Sequence, residues 1–270
     1  MADITGNEMI SHLAALQAAA EGLRVSSIPD SQQMTAFTRS VYDVLSRTEY
    51  RRCDKGEDLE DIYRLRYKSY RRHGVVLDME SGSIHDDLDE TDNVYRFGVY
   101  IDQQLVSTLR IHHLSAKHRE GPSTQAFGDI VNPMIDAGDT FIDPSRFAAD
   151  PDWSRIYPQI PYITLRLAGM ACFYFNAPYC LSTIREDHAS FYKRIYSSQP
   201  LAPARSYPGV TTRVALYRAD VTAIREESFR RFPFFWSSQL EQRMMFAKPR
   251  AGELAPLTIL PTAQTLPRAA

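Results

Sequence analysis

The chain has 270 residues, enough for one large α/β core with helical additions. Its net charge of −2, with no basic stripe carrying interleaved aromatic residues, gives no electrostatic case for nucleic acid as a partner. No run of about 18 apolar residues is present, and residues 1–22 lack the basic start of a signal peptide, so we expect a cytoplasmic protein with no transmembrane segment.

The first third of the chain is predicted to be mainly helical. Apolar residues recur at helical spacing, and turn residues or charged runs separate the segments. The predicted elements in chain order are a helix over 9–23, a turn at 29–31, a helix over 34–46, a helix from residue 58 and a charged loop over 78–92.

The rest of the chain is predicted to alternate strands with helices. Runs of β-branched and aromatic residues indicate the strands, and longer apolar-periodic runs indicate the helices. The predicted elements are strands over 95–101 and 105–112 joined by a turn at 102–104, a strand from residue 140, a helix over 162–175, a strand over 180–184, a helix over 187–197, a strand over 211–217, a helix from 220 to 232 and a Pro-rich tail from residue 248.

Neither the cysteines nor the histidines predict a metal site. Cys53, Cys172 and Cys180 are an odd number without metal-ligand spacing, so we expect reduced thiols. His112 and His113 would point to opposite faces of one strand, and no carboxylate or cysteine lies at ligand spacing from them. No bound metal is therefore expected.

One strand carries an unusual set of charged residues. The segment T-F-I-D-P-S-R-F places the carboxylate of Asp143 three residues before Arg146 on an expected buried strand. Three upstream groups accompany it, namely Arg66 with Tyr70, Asp86 with Asp89, and Arg110. In this order the groups resemble the acyl-homoserine-lactone synthases and their relatives, the N-acyl amino acid synthases (FeeM-type), in the GNAT acyltransferase superfamily.

The resemblance spans roughly residues 58–220 and implies the fold. It implies an α/β (α+β) protein with a GNAT acyl-CoA N-acyltransferase-like fold, in which helices flank a mixed central sheet. The acyltransferase domain would occupy residues 52–235. An N-terminal helical extension over 1–51 would precede it, and a C-terminal helix with a Pro-rich tail over 236–270 would follow it.

Two departures from the lactone synthases concern the acceptor. Their tryptophan, about ten residues after the first arginine, falls at Val75 or Val76, and their glutamate is shortened to Asp143. Both positions line the acceptor side in those enzymes. The resemblance therefore implies a different amine acceptor from the one that gives a homoserine lactone.

The chemistry of amine acylation suggests roles for the charged residues. An amino acid enters as an ammonium, so a base is needed, and Asp143 is the candidate, directly or through a water, because burial raises a carboxyl pKa. The alternative is that Asp143 only pairs with Arg146 or Arg110. Arg110 has a planar fork suited to the acceptor's carboxylate. The remaining candidates on the substrate side are Arg66, Tyr70, Arg146 and Phe147, and Asp86 and Asp89 are expected to form an ion-pair network with the arginines.

Two weaker motifs resemble GNAT segments that handle the acyl donor. Arg166, Gly169 and Ala171 fit R-x-x-G-x-A, which wraps a pyrophosphate at a helix N-terminus, although a small-residue packing contact fits them equally well. Tyr192 lies in H-A-S-F-Y-K, where the GNAT tyrosine protonates the departing thiolate, and its alternative is a core position.

The sequence therefore suggests an enzyme that joins a long-chain acyl group to the α-amino group of an amino acid. No permanently bound cofactor is expected; the donor would be the acyl-phosphopantetheine of acyl carrier protein, docked on basic residues, or acyl-CoA. Two alternatives stay open: an acyl-CoA enzyme acting on another amine, and a non-catalytic GNAT-like binding module. The basic residues concerned, which solvated helix faces would also explain, are Arg71, Arg72, His73, Lys193, Arg194, Arg225, Arg230 and Arg231.

Overall fold

The fold is described from a computed structural model, which covers residues 34–207, 211–249, 256 and 258–263. Within those residues, seven strands form one mixed sheet. The strands are β1 (Thr48–Arg52), β2 (Val94–Ile101), β3 (Gln104–Leu114), β4 (Phe141–Ala149), β5 (Tyr179–Ile184), β6 (Gln199–Arg205) and β7 (Val214–Asp220). Their order is β1-β2-β3-β4-β5-β7-β6, and β4–β5 is the parallel pair.

Helices cover both faces of this sheet. The described helices are α1 (Ala36–Leu45), α2 (Glu57–Arg72), α3 (Pro122–Asp136), α4 (Pro151–Ile156), α5 (Ile160–Phe175), α6 (Ala189–Tyr196), α7 (Val221–Arg231) and α8 (Gln239–Phe246). Short 3-10 turns lie at Asp87–Asp89, Glu186–His188 and Pro233–Phe235.

Helices α2 and α5 pack on opposite faces of the central strands. The apolar α5 buries Ile163 and Leu167 in one core cluster with Leu109 of β3 and Ile142 of β4. The next residue along β3, Arg110, points the other way, as alternation in a strand requires. Helix α2 packs on β3 and β4 from that second face. The central strands are therefore covered on both sides, and the residues of β2 and β3 are almost all buried.

Most of the predicted elements are confirmed. The two-residue turn of the β2–β3 hairpin consists of Asp102 and Gln103, which have φ of 49° and 64° and give the left-handed backbone of a tight hairpin. The predicted helices and strands from residue 58 to residue 232 match observed elements with small shifts at their ends. The predicted α/β class, with a mixed sheet between helices, is confirmed.

Four elements were not predicted from the sequence: β1, α3, α4 and β6. Strand β6 contains Pro200 and Pro203, which lack backbone N–H groups, and it can hold them because it is the last strand of the sheet. Helix α3 carries Pro133 inside and a non-helical Phe127, which break the apolar period that a sequence pattern would show.

Arg166 does not lie at a helix N-terminus, and this overturns the predicted pyrophosphate loop. It is fully buried in the middle of α5, where the backbone N–H groups are used by the helix itself. Its guanidinium pairs with Glu241 of α8 and donates to the carbonyl oxygens of Phe234 and Trp236. Arg166 therefore ties α5 to α8 inside the core.

A segment near the C-terminus is added to the sheet edge. Tyr50 of β1 and Ile259 exchange two backbone hydrogen bonds of 2.9 Å each, and Ile259 is buried. Three residues further on, the backbone N–H of Thr262 donates to Glu241 over 3.0 Å. The segment thus covers the free edge of β1 and gives Glu241, the partner of Arg166, a further hydrogen-bond donor.

Some expectations fall outside the described residues. The helix predicted over 9–23 and most of the predicted tail lie there. Strand β1 crosses the expected limit between 1–51 and 52–235, and the domain limits remain a prediction. Within the part of the chain that the structure describes, no helix is long and apolar enough to cross a membrane.

Candidate active site

A cavity lies where β4 and β5 separate. These parallel strands are paired only at Phe141–Tyr179 and Ile142–Cys180, and beyond those pairs they diverge. The cavity between them has a volume of about 340 Å³. Its walls come from residues 144–147 of β4, residues 182–184 of β5, Tyr70 of α2 and Leu165 of α5. Side chains from helices on both faces of the sheet therefore line the cavity.

A smaller apolar pocket of about 60 Å³ adjoins this cavity. The two share four lining residues: Pro144, Leu165, Ser182 and Tyr192. The inner part of the small pocket is lined by Phe173 and Gly169 of α5 and by Phe229 of α7. A cavity with polar side chains such as Arg146 and Thr183 in its wall, continued by an apolar extension, suits a substrate that carries a reactive head and a hydrocarbon chain.

Arg146 sits on a bulge of β4 at the cavity wall. Thr108 of β3 pairs with Ala148 and Arg110 pairs with Ser145, so Arg146 and Phe147 have no partner in β3. Arg146 has φ 52°, a left-handed conformation that costs a residue other than glycine on the order of 1–3 kcal/mol. The bulge turns both Arg146 and Phe147 towards the cavity, which they line.

The acidic turn at residues 86–89 supplies the partners of the arginines. Asp86 caps the short Asp87–Asp89 helix by accepting from the N–H of Leu88 over 3.1 Å. In return Asp89 accepts from the N–H of Asp86 over 3.1 Å. This reciprocal cap fixes both carboxylates in place, and it explains why the sequence D-D-L-D folds here.

The two carboxylates hold three arginines together. Asp89 lies 2.9 Å from a guanidinium nitrogen of Arg66 and 3.0 Å from one of Arg110, and Asp86 pairs with both Arg110 and Arg146. Burial alone would raise the pKa of Asp86, but the guanidinium groups of Arg110 and Arg146 outweigh it and hold the pKa well below its usual range. Asp86 therefore stays ionised and links the network to the cavity.

Two of these arginines are placed differently from the substrate-binding roles expected of them. Arg66 and Arg110 are both fully buried and neither lines the cavity. Their charges are already balanced by Asp86 and Asp89, so Arg110 is not positioned to hold an acceptor carboxylate. Arg146 and Tyr70 do line the cavity, and the Arg146 guanidinium lies 5.9 Å from the centre of the Tyr70 ring.

Asp143 is buried beside the cavity rather than on its wall. It is fully inaccessible and accepts two hydrogen bonds from Ser123, from N over 2.8 Å and from Oγ over 2.7 Å. Burial raises the pKa of Asp143 to about 6, against the opposing effect of the Ser123 hydrogen bonds and of Arg110. Gly121 makes this contact possible, because a Cβ there would lie 2.8 Å from Leu114 and 3.1 Å from Asp143.

Tyr192 lines both the cavity and the apolar pocket, at the junction between them. It extends from α6, the helix that follows β5. Burial, together with the neighbouring Cys180, raises the pKa of Tyr192 above its usual range. The phenol therefore keeps its proton at neutral pH and can act as a hydrogen-bond donor.

The histidines of β3 serve the fold. His112 donates Nε2–H to the carbonyl oxygen of Leu88 over 2.9 Å, and His113 stacks on Phe175 with ring centres 4.4 Å apart on the other face. Burial and the Arg110 guanidinium lower the pKa of His112 to about 3, so it is neutral. Among the described residues, no group of three potential metal ligands is found.

Three polar residues of the site were missed by the sequence interpretation. Ser123 is the second residue of α3, a helix that was not predicted, and the Gly121-Pro122 start signal is the one local hint. Thr183 is on a predicted strand, but nothing in its neighbours marks it. Tyr207 lines the cavity from the segment after β6, and its pKa is raised to about 12 by burial.

Solved structures share this architecture. The structure of FeeM, an N-acyl amino acid synthase from uncultured soil microbes, is similar with a TM-score of 0.57 and 16% identity, over 68% of this chain and 97% of that one. The AHL synthase LasI is similar with a TM-score of 0.50 and 14% identity, over 64% of this chain and 89% of that one. Comparison with curated protein sequences gives no match.

A model of the N-acyl amino acid synthase FeeM family matches residues 61–220, more than half of the chain. The protein is therefore an acyltransferase. That segment contains strands β4 and β5 and helix α6, which line the cavity, and the charged turn, which pairs with Arg146. The chain therefore belongs to the FeeM family of N-acyl amino acid synthases, as the resemblance of its motifs predicted.

Asp143→Asn tests the proposed base. The amide keeps the shape of the carboxyl group but cannot accept a proton, so kcat is expected to fall by roughly 10²- to 10⁴-fold. In the wild type, kcat/KM is expected to fall as the pH drops through about 6, where Asp143 becomes protonated.

The pH–rate profiles of both proteins are the measurement. The nearby His112 is already neutral in that range, because its pKa is lowered to about 3. The variant should therefore lose the acidic limb altogether. A folded Asn variant that turns over at the wild-type rate, with the limb intact, would exclude Asp143 as the base.

Proposed function

We propose that this acyltransferase moves a long-chain acyl group from acyl carrier protein to the α-amino group of an amino acid. The observation that carries the proposal is the apolar pocket joined to a larger cavity that Arg146 lines. The pocket would take the hydrocarbon chain, and the cavity would take the thioester and the acceptor.

Arg146 is the residue we assign to the acceptor's carboxylate. Its guanidinium lies at the cavity wall. Asp86 accepts hydrogen bonds only from Nε and Nη2 of this group. Arginine suits a carboxylate because its donors form a planar fork. Asp86 and Tyr70 hold this fork in position, which limits the entropy lost when an amino acid binds.

The remaining steps of acyl transfer have candidate groups at the same place. Asp143 would accept the proton of the attacking amine, and the β4 bulge at Arg146 and Phe147 would offer backbone N–H groups to the developing oxyanion. Tyr192, protonated and at the junction of the two pockets, would donate a proton to the leaving thiolate.

The donor proposal depends on the exposed ends of α6 and α7. Arg231 donates to the backbone carbonyl of Arg194, so the basic ends of these two helices adjoin each other. Lys193 is also exposed there. Two other candidate residues are already engaged, because Arg230 pairs with Glu227 and Arg71 pairs with Asp78. An acidic carrier protein would fit the Arg194–Arg231 surface.

The direct test is a product analysis. Purified protein is supplied with acyl carrier protein thioesters or acyl-CoA, together with each amino acid or a panel of other amines, and the products are identified by mass spectrometry. N-acyl amino acids support the proposal. Acylation of other amines, with no amino acid acylated, would favour the acyl-CoA alternative, and no transfer at all with any donor would contradict the proposal.

Arg146→Lys tests the carboxylate site. Lysine keeps the charge and loses the fork, so KM for the amino acid is expected to rise about tenfold or more while KM for the acyl donor stays close to wild type. Arg205→Lys is the matched control, since Arg205 makes a forked pair with Asp129 and lines neither pocket, so it should leave KM unchanged. The assignment fails if KM for an amino acid amide, which lacks the carboxylate, rises by the same factor.

Substitutions of increasing size at Gly169 test whether the apolar pocket holds the acyl chain. A Cβ at this helical position meets no atom within 4 Å, and the residue lines the apolar pocket. Gly169→Ala, Gly169→Val and Gly169→Leu are expected to fill the pocket step by step and to shorten the preferred acyl chain in that order. Competition between thioesters of different length measures the shift. An unchanged preference in a folded Leu variant would place the chain elsewhere.

Charge reversal tests the carrier-protein donor. Arg194→Glu combined with Arg231→Glu is expected to raise KM for the acyl carrier protein thioester and to leave that for acyl-CoA unchanged. The preference for the carrier protein should also weaken above about 0.15 M salt, where exposed charges are screened. Arg64→Glu, exposed on α2, is the control. Better turnover with acyl-CoA, insensitive to salt and to the reversal, would refute this donor.

A further inference from the structure

The candidate base and the cavity are separated by two hydroxyl groups. Asp143 is fully buried and does not line the cavity, whereas Thr183 of β5 does. Between them lies Ser123, which is itself fully buried. Its Oγ is 2.7 Å from Asp143 Oδ1 and 2.8 Å from Thr183 Oγ1. A continuous chain of hydrogen bonds therefore leads from the cavity wall to the carboxylate.

The direction of these hydrogen bonds is fixed by proton counting. An ionised carboxylate only accepts, so the single hydroxyl proton of Ser123 is donated to Asp143. The Oγ of Ser123 must then accept from Thr183, which donates its own proton inwards. Thr183 is left with lone pairs that accept from whatever N–H lies in the cavity. The chain is thus oriented to carry a proton from the cavity towards Asp143.

We propose that Thr183 and Ser123 form a proton relay between the reacting amine and Asp143. As the amine bonds to the thioester carbon, one N–H bond breaks and its proton moves to Thr183 Oγ1. The Thr183 hydroxyl proton moves to Ser123 Oγ, and the Ser123 hydroxyl proton moves to Asp143 Oδ1. Both alcohols are neutral before and after, and the net result is one proton transferred from nitrogen to the carboxylate. The carbonyl electrons displaced by the new C–N bond move to the oxygen. When the carbonyl re-forms, the C–S bond breaks and the thiolate takes its proton from Tyr192.

The surroundings suit this transfer. The backbone N–H of Ser123 donates to the second oxygen of Asp143 over 2.8 Å, which holds the carboxylate in one orientation. Ser123 is in the first turn of α3, and Thr183 is on β5, so both hydroxyls are carried by regular elements. After the product leaves, the same chain returns the proton to water in the cavity, and Tyr192 regains its proton from that water.

The relay rests on the proposed function only in needing an amine as the acyl acceptor. Thr183→Val removes the hydroxyl with almost no change in shape, and Thr183→Ser keeps it. We expect Thr183→Val to lower kcat by roughly 10²-fold with KM for both substrates nearly unchanged, and Thr183→Ser to restore most of the rate. Ser123→Ala is expected to resemble Thr183→Val.

The decisive measurement is the double variant Asp143→Asn with Thr183→Val. Residues that move one proton together lose their effect together, so this variant should be no slower than Asp143→Asn alone. Thr108→Val is the matched control: Thr108 is buried in the same sheet, and its hydroxyl finds no hydrogen-bond partner among the described residues. Its kcat should equal that of the wild type.

The outcomes separate the relay from the proposed acceptor. If the wild type acylates an amine that is not an amino acid, the acceptor proposal fails and the same variants are measured with that amine. Wild-type turnover by Thr183→Val, or rate losses of Asp143→Asn and Thr183→Val that multiply in the double variant, would overturn the relay. So would an Asp143→Asn protein as fast as the wild type.

Discussion

Strands β4 and β5 are hydrogen-bonded through only two pairs of residues, and the rest of the site depends on their separation. Beyond Ile142 and Cys180 the backbones diverge, so a cavity of about 340 Å³ opens inside a sheet that is otherwise continuous. The divergence brings Arg146 and Thr183, on different strands, to the walls of one space. A fully paired β4–β5 ladder would close this space with backbone hydrogen bonds.

The charged network is best understood as support for that opening. Arg66 and Arg110 carry buried guanidinium nitrogens with no hydrogen-bond partner among the described residues, and such groups are costly in a protein core. Asp89 offsets part of this cost by pairing with both arginines. Asp86 in turn pairs with Arg146 and holds its side chain in place. The left-handed backbone of Arg146 shapes the bulge beside the cavity.

Much of this site could be predicted from sequence, because its motifs are local and keep their order. The pairing of Asp86 and Asp89 with the arginines follows from such motifs. Exposure could not be predicted in the same way: Arg110 and Arg146 are both arginines on strands, and the bulge after Ser145 decides which one meets the cavity. The contact of Ser123 with Thr183 spans 60 residues and required the position of an unpredicted helix.

The segment around Ile259 also blocks an edge of the sheet at which another chain could pair. Strand β1 is at the end of the sheet, and a bare strand edge is a template for pairing with another chain. The two hydrogen bonds between Tyr50 and Ile259 occupy that template. A protein shortened after residue 249 would lose them together with the Thr262 donor to Glu241. Self-association through strand addition, rather than simple loss of activity, is the failure that such a truncation invites.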